Sequence, residues 1–200
     1  MSEKTKYLGI IIDQNLKWNE QIQSLLTKLR RFIHKFYQLR KFMNRKQLII
    51  IYKSLVESIL RSGIIVWGGL YDTTLLPLRV IQNHIVKIIF RKPLLYRTAL
   101  LYNNEILIIR TLYLYLCCIF IYRKPHLRIT AAHSHNTRAV SNNSLMTPAC
   151  QREASQRFVT TVAPKIYNKL PMSIRNIPKL YLFRSKAKQY VIAVLHLPIY

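Results

Sequence analysis

The chain has 200 residues and half of them are hydrophobic, which is enough for a folded core and excludes wholesale disorder. It carries 32 Lys and Arg against 7 Asp and Glu, a formal net charge of +25. Because so few acids cannot neutralise the bases internally, we expect a polyanionic partner. Nucleic acid is the main candidate, and an anionic membrane surface is the rival.

The N-terminal segment predicts a single β-strand. Residues Tyr7 to Asp13 form a β-branched run that ends near Gln14 and Asn15, a pattern typical of a strand followed by a turn. A lone strand cannot satisfy its own backbone hydrogen bonds. Either a later segment pairs with this strand, or its natural partner lies outside the chain.

Two helices are predicted next. The first runs from Asn19 to about Phe42, because its apolar residues recur at steps of three and four. Asn44, followed three residues later by Gln47, predicts a capping box at the start of the second helix. Gly63 predicts the end of that helix.

The rest of the chain also reads as mainly helical. Asp72 predicts the cap of a third helix that tolerates Pro77 in its early turns, and Pro93 closes this region. Further helical stretches are expected at about 98–103, 105–122, 154–170 (kinked or split at Pro164) and 179–195. Residues 125–148 are rich in His, Ser, Asn and Thr, which predicts a polar loop with a short strand. The predicted fold class is therefore mainly α: a helical bundle preceded by one orphan β-strand and followed by a helical C-terminal region.

The apolar segments and the cysteines bear on the compartment. Residues Ile106 to Tyr122, interrupted by Arg110, are shorter than the roughly 20 residues a spanning helix needs, so we predict a buried core helix and no membrane span. The apolar run at the N-terminus is too short for a secretory signal. Cys117 and Cys118 are adjacent and Cys150 makes the count odd, which does not fit a disulfide framework. We therefore expect an intracellular protein, in nucleus or cytoplasm, and not a secreted one.

The sequence offers no motif for catalysis or metal binding. Two-metal phosphoryl chemistry needs at least two acids held close together, and the seven acids of this chain are not neighbours; a site assembled from distant acids is the weaker alternative. His126, His133, His135 and Cys150 provide one His-x-His pair and no Cys-x-x-Cys pair, which argues against zinc. We therefore predict no catalytic residue, no metal ligand and no cofactor on this chain.

The basic residues of the first two helices are the candidate binding set. Tyr37 and Phe42 lie among them, and such a mixture suits a surface that follows phosphates and offers aromatic rings for stacking. The alternative is an ordinary solvated helix face, and the net charge favours nucleic acid over it. The candidates are Lys28, Arg31, Lys35, Arg40, Lys41, Arg45 and Lys46.

Several short motifs, in the same order and over about residues 6–175, resemble non-LTR retrotransposon reverse transcriptases of the jockey-like group of insect mobile elements. The first is similar to the Tyr-Leu-Gly…Asp…Leu-x-Trp segment that follows the palm motif with paired aspartates. The others resemble the family's Val-Trp-Gly, Leu-x-x-Ile-Gln-Asn, Asn-Thr-Arg and Ala-Pro-Lys-x-x-Asn-x-Leu-Pro patterns. The matching residues are Tyr7-Leu8-Gly9, Asp13, Leu16, Trp18; Tyr52, Leu55, Leu60, Gly63, Val66-Trp67-Gly68; Leu78, Ile81-Gln82-Asn83; Asn136-Thr137-Arg138; Ala163-Pro164-Lys165, Asn168, Leu170-Pro171.

The resemblance implies a fragment of an RNA-directed DNA polymerase. The family copies RNA into DNA with Mg²⁺, and its catalytic aspartates lie upstream of this whole chain, so the chain alone is expected to be inactive. It implies a residual palm-end strand and turn at 1–18, a thumb-like helical bundle at 19–92 and a C-terminal helical region at 93–200 with its loop at 125–148. The thumb would grip a primer–template duplex (RNA–DNA or DNA) through its phosphates, without reading sequence. Partners would include the missing palm and fingers of the parent polyprotein.

Two further hypotheses remain open. The basic amphipathic first helix and the apolar stretch at 106–122 also suit a basic helical protein associated with a membrane surface. The other hypothesis is that the chain is an inert remnant of a mobile element with no selected function. The residues Trp18, Tyr52 and Trp67 are assigned to packing under every reading.

Overall fold

The mainly helical fold class is confirmed by a computed structural model that describes residues 4–129 and 144–194. The chain divides into two compact units, residues 1–109 and residues 110–200. The division into palm-end, thumb-like and C-terminal segments stays a prediction.

The N-terminus forms a β-hairpin, so the prediction of one unpartnered strand over Tyr7–Asp13 is wrong. Strand β1 (Lys4–Tyr7) pairs antiparallel with β2 (Ile10–Asp13), with Tyr7 opposite Ile10. Leu8 and Gly9 both have positive φ, 46° and 83°, the conformation of a two-residue type I′ turn. The strand's partner is therefore the segment immediately upstream, joined to it through a turn in the middle of the predicted run.

The turn after β2 is organised by the Asp13 carboxylate. It accepts hydrogen bonds from the backbone N–H groups of Asn15 (3.1 Å), Lys17 (2.9 Å) and Trp18 (2.7 Å). Burial opposes ionisation of Asp13, but donation from Lys17, Trp18 and Asn15 outweighs it, so the pKa of Asp13 lies below its ordinary value. The chain then passes through Trp18, which is left-handed and buried, into the first helix.

Helices α1 (Asn19–Leu39) and α5 (Asp72–Ile89) pack against each other and form the core of the first unit. Between them lie α2 (Arg45–Ile51), a π-helical segment (Tyr52–Glu57), α3 (Ser58–Arg61) and α4 (Ile64–Trp67), and a 3₁₀ turn (Thr98–Leu101) follows α5. The predicted packing roles are confirmed, since Trp18, Tyr52 and Trp67 are all buried.

The helix boundaries follow local chemistry in two of three predicted cases. The capping box is confirmed: Asn44 Oδ1 accepts from Gln47 N (3.0 Å), and Gln47 Oε1 accepts from Asn44 N (2.9 Å). Gly63 ends the α3 region in the left-handed conformation, and a Cβ there would run into the side chain of Ile10. Asp72 is not a cap, because it is the first helical residue and Tyr71 holds the cap position. An acid in the first turn is still favoured there by the helix dipole.

A buried amide ties α5 to the chain that follows it. Gln82 Nε2 donates to Tyr52 Oη (2.8 Å) and to the carbonyl of Leu107 (2.8 Å), while Gln82 Oε1 accepts from Ile109 N (3.1 Å). Gln82 is fully buried, so these bonds are protected from water. Next to it, Tyr102 Oη donates to Asn83 Oδ1 (2.6 Å). These bonds account for the adjacent amide side chains of Gln82 and Asn83 in α5.

The C-terminal part contains α6 (Ile109–Arg123), a 3₁₀ turn (Pro125–Leu127), α7 (Glu153–Gln156), α8 (Val159–Asn168), α9 (Met172–Arg175) and α10 (Leu180–Val194). Helix α6 begins four residues later than predicted, because Asn103 Oδ1 holds the amides of Glu105 and Ile106 in a turn. The predicted 98–103 helix is only the 3₁₀ turn.

In the C-terminal part, the predicted 154–170 helix needs correction, and the predicted 125–148 loop is described only in part. The predicted 154–170 helix breaks between α7 and α8, ahead of Pro164, which sits inside α8. Pro164 is the sixth of the ten residues of α8, so its missing N–H removes the helical bond to the carbonyl of Thr160. Much of the predicted 125–148 loop lies outside the described residues. Its described end contains an isolated bridge at Leu145, and Met146 N donates to Ile129 O (2.7 Å).

Within the described ranges, no helix is both long enough and apolar enough to cross a membrane. The predicted core helix of the 106–122 stretch is confirmed by burial of Leu112, Leu114, Cys117 and Cys118.

Candidate nucleic-acid interface

The exposed face of α1 carries the first three predicted binding residues. Lys28, Arg31 and Lys35 follow one another at steps of three and four, so they share one side of the helix. All three are exposed, whereas Leu25 and Leu29, which lie on a neighbouring side of the helix, are buried. The amphipathic pattern of α1 thus orients these three cations towards solvent.

The remaining four predicted residues cluster at the connection between α1 and α2. Arg40 and Lys41 follow α1, and Arg45 and Lys46 open α2 behind the Asn44 cap. Lys41, Arg45 and Lys46 are exposed and Arg40 is half-buried. The capping box fixes the direction in which α2 leaves the turn, and with it the positions of Arg45 and Lys46.

The structure adds a residue from the end of α5 that the sequence analysis missed. Arg91 Nη2 donates to the carbonyl of Arg40 at 3.1 Å, and the Arg45 guanidinium lies 5.4 Å from the centre of the Phe90 ring. The backbone of Arg91 is left-handed, with φ of 53°. Its amide donates to Ile88 O (3.1 Å), and that of Lys92 donates to Lys87 O (2.9 Å), which together form a Schellman motif.

We call this group the basic junction: Arg40, Lys41, Arg45, Lys46 and Arg91. A shallow cleft of about 610 Å³ opens here between the start of α2 and the end of α5, lined in part by Asn44, Phe90 and Arg91. The cleft combines cationic side chains with one aromatic ring. Such a surface can contact phosphates and leave room for a sugar or base.

The two aromatic residues predicted to interleave with the bases differ in availability. Phe42 is 87% exposed and stands free for stacking. Tyr37 is half-buried, with the Arg40 guanidinium 4.7 Å from its ring centre and His84 packed against it edge-on at 6.0 Å. Tyr37 therefore orients Arg40 and is not an open stacking platform.

In the part of the chain that the structure describes, no ion pair links an acid to the cations of this surface. Between Glu20 and Glu57 the sequence contains no Asp or Glu. In the described part of the chain, Glu20 pairs with Lys4 at 3.5 Å and Glu57 pairs with Arg61 at 2.8 Å. Neither flanking acid is thus turned to the basic junction or to the Lys28–Lys35 face. The positive potential of both regions is available to a polyanion.

The acids do not converge on a metal site in the described residues. No group of three His, Cys, Asp or Glu side chains there could hold a metal ion. The Asp13 carboxylate is engaged by backbone amides, Glu20 by Lys4 and Glu57 by Arg61. These carboxylates therefore do not fit the Mg²⁺ site of a polymerase. His133 and His135, which were considered as zinc ligands from the sequence, lie outside the described residues.

Comparison with known proteins finds a partial similarity. A segment of 87 residues, 42% of this chain, is 28% identical to the probable RNA-directed DNA polymerase from transposon X-element of Drosophila melanogaster. The match covers 10% of that protein. No protein-family model matches the chain, and no solved structure matches it. The similarity supports a family-level relationship to retrotransposon reverse transcriptases, over part of the chain.

Proposed function

We propose that the chain is the thumb-side part of a retrotransposon reverse transcriptase and that it binds the phosphate backbone of a primer–template duplex without reading its sequence. The observation that carries this proposal is the acid-free basic surface formed by the Lys28–Lys35 face of α1 and the basic junction. The relationship to a retrotransposon polymerase supports it independently.

The spacing of the cations suits a polynucleotide backbone. Lys28 and Lys35 are two helical turns apart, about 10 Å along the axis of α1. Each strand of a duplex places a phosphate about every 3.4 Å along its axis, so this face can follow about three phosphates. Arg40 and Arg91 extend the positive surface beyond the end of the helix. Contacts of this kind position a duplex and carry no sequence information.

The rival membrane-surface function would need the apolar face of α1. That face is occupied, because Leu25, Leu26, Leu29 and Phe36 are buried and α1 packs on α5. An amphipathic helix binds a bilayer by inserting its apolar side. Flotation with anionic liposomes distinguishes the two: strong flotation without duplex binding would favour the membrane.

We infer that the chain alone does not extend a primer. In the complete parent enzyme Mg²⁺ would supply charge neutralisation at the transferred phosphate, and the acids described here do not fit that task. Purified chain is incubated with a primed RNA template, Mg²⁺ and nucleotides. Binding without extension is expected, and extension would overturn the inference.

The binding face is tested by salt titration of duplex affinity. We expect a dissociation constant on the order of 10⁻⁴–10⁻⁶ M at physiological salt. The affinity should fall steeply as the salt concentration rises. The triple variant Lys28→Ala, Arg31→Ala, Lys35→Ala should reduce the slope of log affinity against log salt by about two to three units.

The matched control removes the same number of exposed cations elsewhere in the first unit. It carries Lys6→Ala, Lys17→Ala and Lys53→Ala, none of which lies on the proposed face. We expect its slope to change by less than about one unit. Equal losses in the two variants would show that charge alone, and not this face, governs binding. Far-ultraviolet circular dichroism checks that both variants retain their helices.

A further inference from the structure

A pocket in the second unit brings two arginines to one concave surface. Its volume is about 340 Å³, and Arg128, Arg175 and Tyr167 lie in its wall beside the apolar side chains of Pro125 and Met172. None of these residues belongs to the surface described above. The arginines come from separate elements: Arg128 follows the 3₁₀ turn after α6, and Arg175 ends α9.

The two arginines converge on the buried ring of Tyr167. Arg128, Tyr167 and Arg175 line the same pocket. Burial raises the pKa of Tyr167, and the positive charges of Arg128 and Arg175 act against that rise. Tyr167 Oη donates to the carbonyl of Arg175 at 3.3 Å. The Arg128 guanidinium lies 5.7 Å from the centre of the Tyr122 ring, a contact that favours one direction of this side chain.

Hydrogen bonds to the backbone hold the walls of the pocket in place. The side chain of Asn168 accepts from Leu145 N and donates to Leu145 O, both at 2.8 Å, and so fixes one wall. Tyr122 Oη contacts the carbonyls of Ile177 (2.9 Å) and Pro178 (2.6 Å), which anchors the chain just after α9. A pocket built in this way does not have to be ordered by its ligand, which favours affinity.

The charge of the second unit indicates an anionic ligand. Residues 110–200 contain fourteen Lys and Arg and one acid, Glu153. One carboxylate cannot balance these charges, so the countercharge for most of them must come from outside the unit. Two arginines in the wall of one cavity can provide the forked donors that suit a phosphate.

We propose that this pocket binds one phosphate group of a nucleic-acid strand, with Arg128 and Arg175 as its donors and with Met172 and Pro125 against the adjoining sugar or base. The phosphate chemistry follows from the pocket itself. The identity of the strand rests on the proposed function, so the two parts are tested separately.

The first experiment tests the phosphate site with inorganic phosphate as the probe. The thermal unfolding midpoint of the full chain is followed by circular dichroism as phosphate replaces chloride at constant ionic strength. Ligand binding to the folded state should raise the midpoint of the wild type by about 3 °C or more, with saturation. Arg128→Gln with Arg175→Gln should abolish that response.

The matched control is Arg152→Gln with Arg184→Gln, which removes two exposed arginines from the same unit. It should keep the full phosphate response, and equal responses in both double variants would overturn the phosphate site. If the pocket variant loses its helices, Arg175→Gln alone is used. That change leaves the backbone carbonyl that accepts from Tyr167 in place.

The second experiment tests the strand. Binding of a fluorescent single-stranded 12-mer is measured by anisotropy, and the pocket variant should lose about tenfold in affinity while the control loses less than about twofold. Equal affinities would overturn the assignment to nucleic acid. If vesicles containing phosphatidic acid instead lose binding only in the pocket variant, the phosphate is that of a lipid. The Lys28–Arg31–Lys35 variant keeps its phosphate response in either case, so failure of the proposed duplex surface is recognised separately.

Discussion

Replacing the buried amide of Gln82 by leucine should strongly destabilise the first unit. Leucine is similar to glutamine in volume, so the change removes hydrogen bonds without opening a large cavity. It leaves Tyr52 Oη, the carbonyl of Leu107 and the amide of Ile109 without their partner. All of these residues are buried, so water cannot replace the lost bonds.

The magnitude follows from the groups that are stranded. Each buried backbone group without a partner costs about 1–3 kcal/mol, and leucine regains about 1–2 kcal/mol through burial of an apolar side chain. With two backbone groups and one phenol affected, we expect Gln82→Leu to lower the free energy of unfolding by about 3 kcal/mol. Tyr52→Phe removes only one of the three bonds and should cost about 1 kcal/mol.

Tryptophan fluorescence in a urea titration isolates this effect. The chain has two tryptophans, and both Trp18 and Trp67 lie buried in the first unit, so their emission reports the unfolding of that unit. The control is Gln23→Leu, the same change at an exposed position of α1, which should alter stability by less than about 0.5 kcal/mol. A loss of under about 1 kcal/mol for Gln82→Leu would refute the reasoning.

Three further predictions concern the turn after β2, the cap of α2 and the cysteines. Because the pKa of Asp13 lies below its ordinary value of 3.8 in the folded chain, its stabilisation is present above that pH and lost as pH falls through the folded-state pKa. Acid unfolding of Asp13→Asn should therefore show a flatter pH dependence than the wild type, and parallel curves would contradict this. Asn44→Ala should cost about 1 kcal/mol in the same urea titration and Asn44→Gly only a few tenths, whereas equal losses would argue against the cap. Burial raises the pKa of Cys117 to about 12 and that of Cys118 further, so a thiol reagent should modify Cys150 first in the native chain, and rapid modification of all three would be contrary evidence.

Local patterns in the sequence predicted much of the first unit correctly. The spacing of apolar residues predicted α1, and the Asn44–Gln47 spacing predicted the capping box, because both depend on neighbours within one or two turns. The glycine at position 63 was recognised for the same reason, since its conformation ends a helix locally. The seven basic candidates also fell on two adjoining elements, although their role in binding stays a prediction.

Features that depend on distant parts of the chain were not predictable. The partner of β2 was missed because the turn at Leu8–Gly9 divides an unbroken run that looks like a single strand. Arg91 joins Arg40 across 51 positions of sequence, and no local pattern announces that contact. Arg128 and Arg175 are likewise brought together only by the packing of their own unit. The sequence shows that basic residues lie at the ends of several helices, but only the folded structure shows which of these ends come together.

At Arg91 the requirement for a relaxed backbone conflicts with the requirement for a positively charged side chain. Glycine adopts this conformation freely, whereas a residue with a side chain is strained there by about 1 kcal/mol. Selection for stability alone would thus favour glycine at position 91. That substitution would remove the guanidinium that donates to the carbonyl of Arg40. An arginine kept at this position in related sequences would indicate selection on the charge itself. A glycine would mark a relative in which only folding is still maintained.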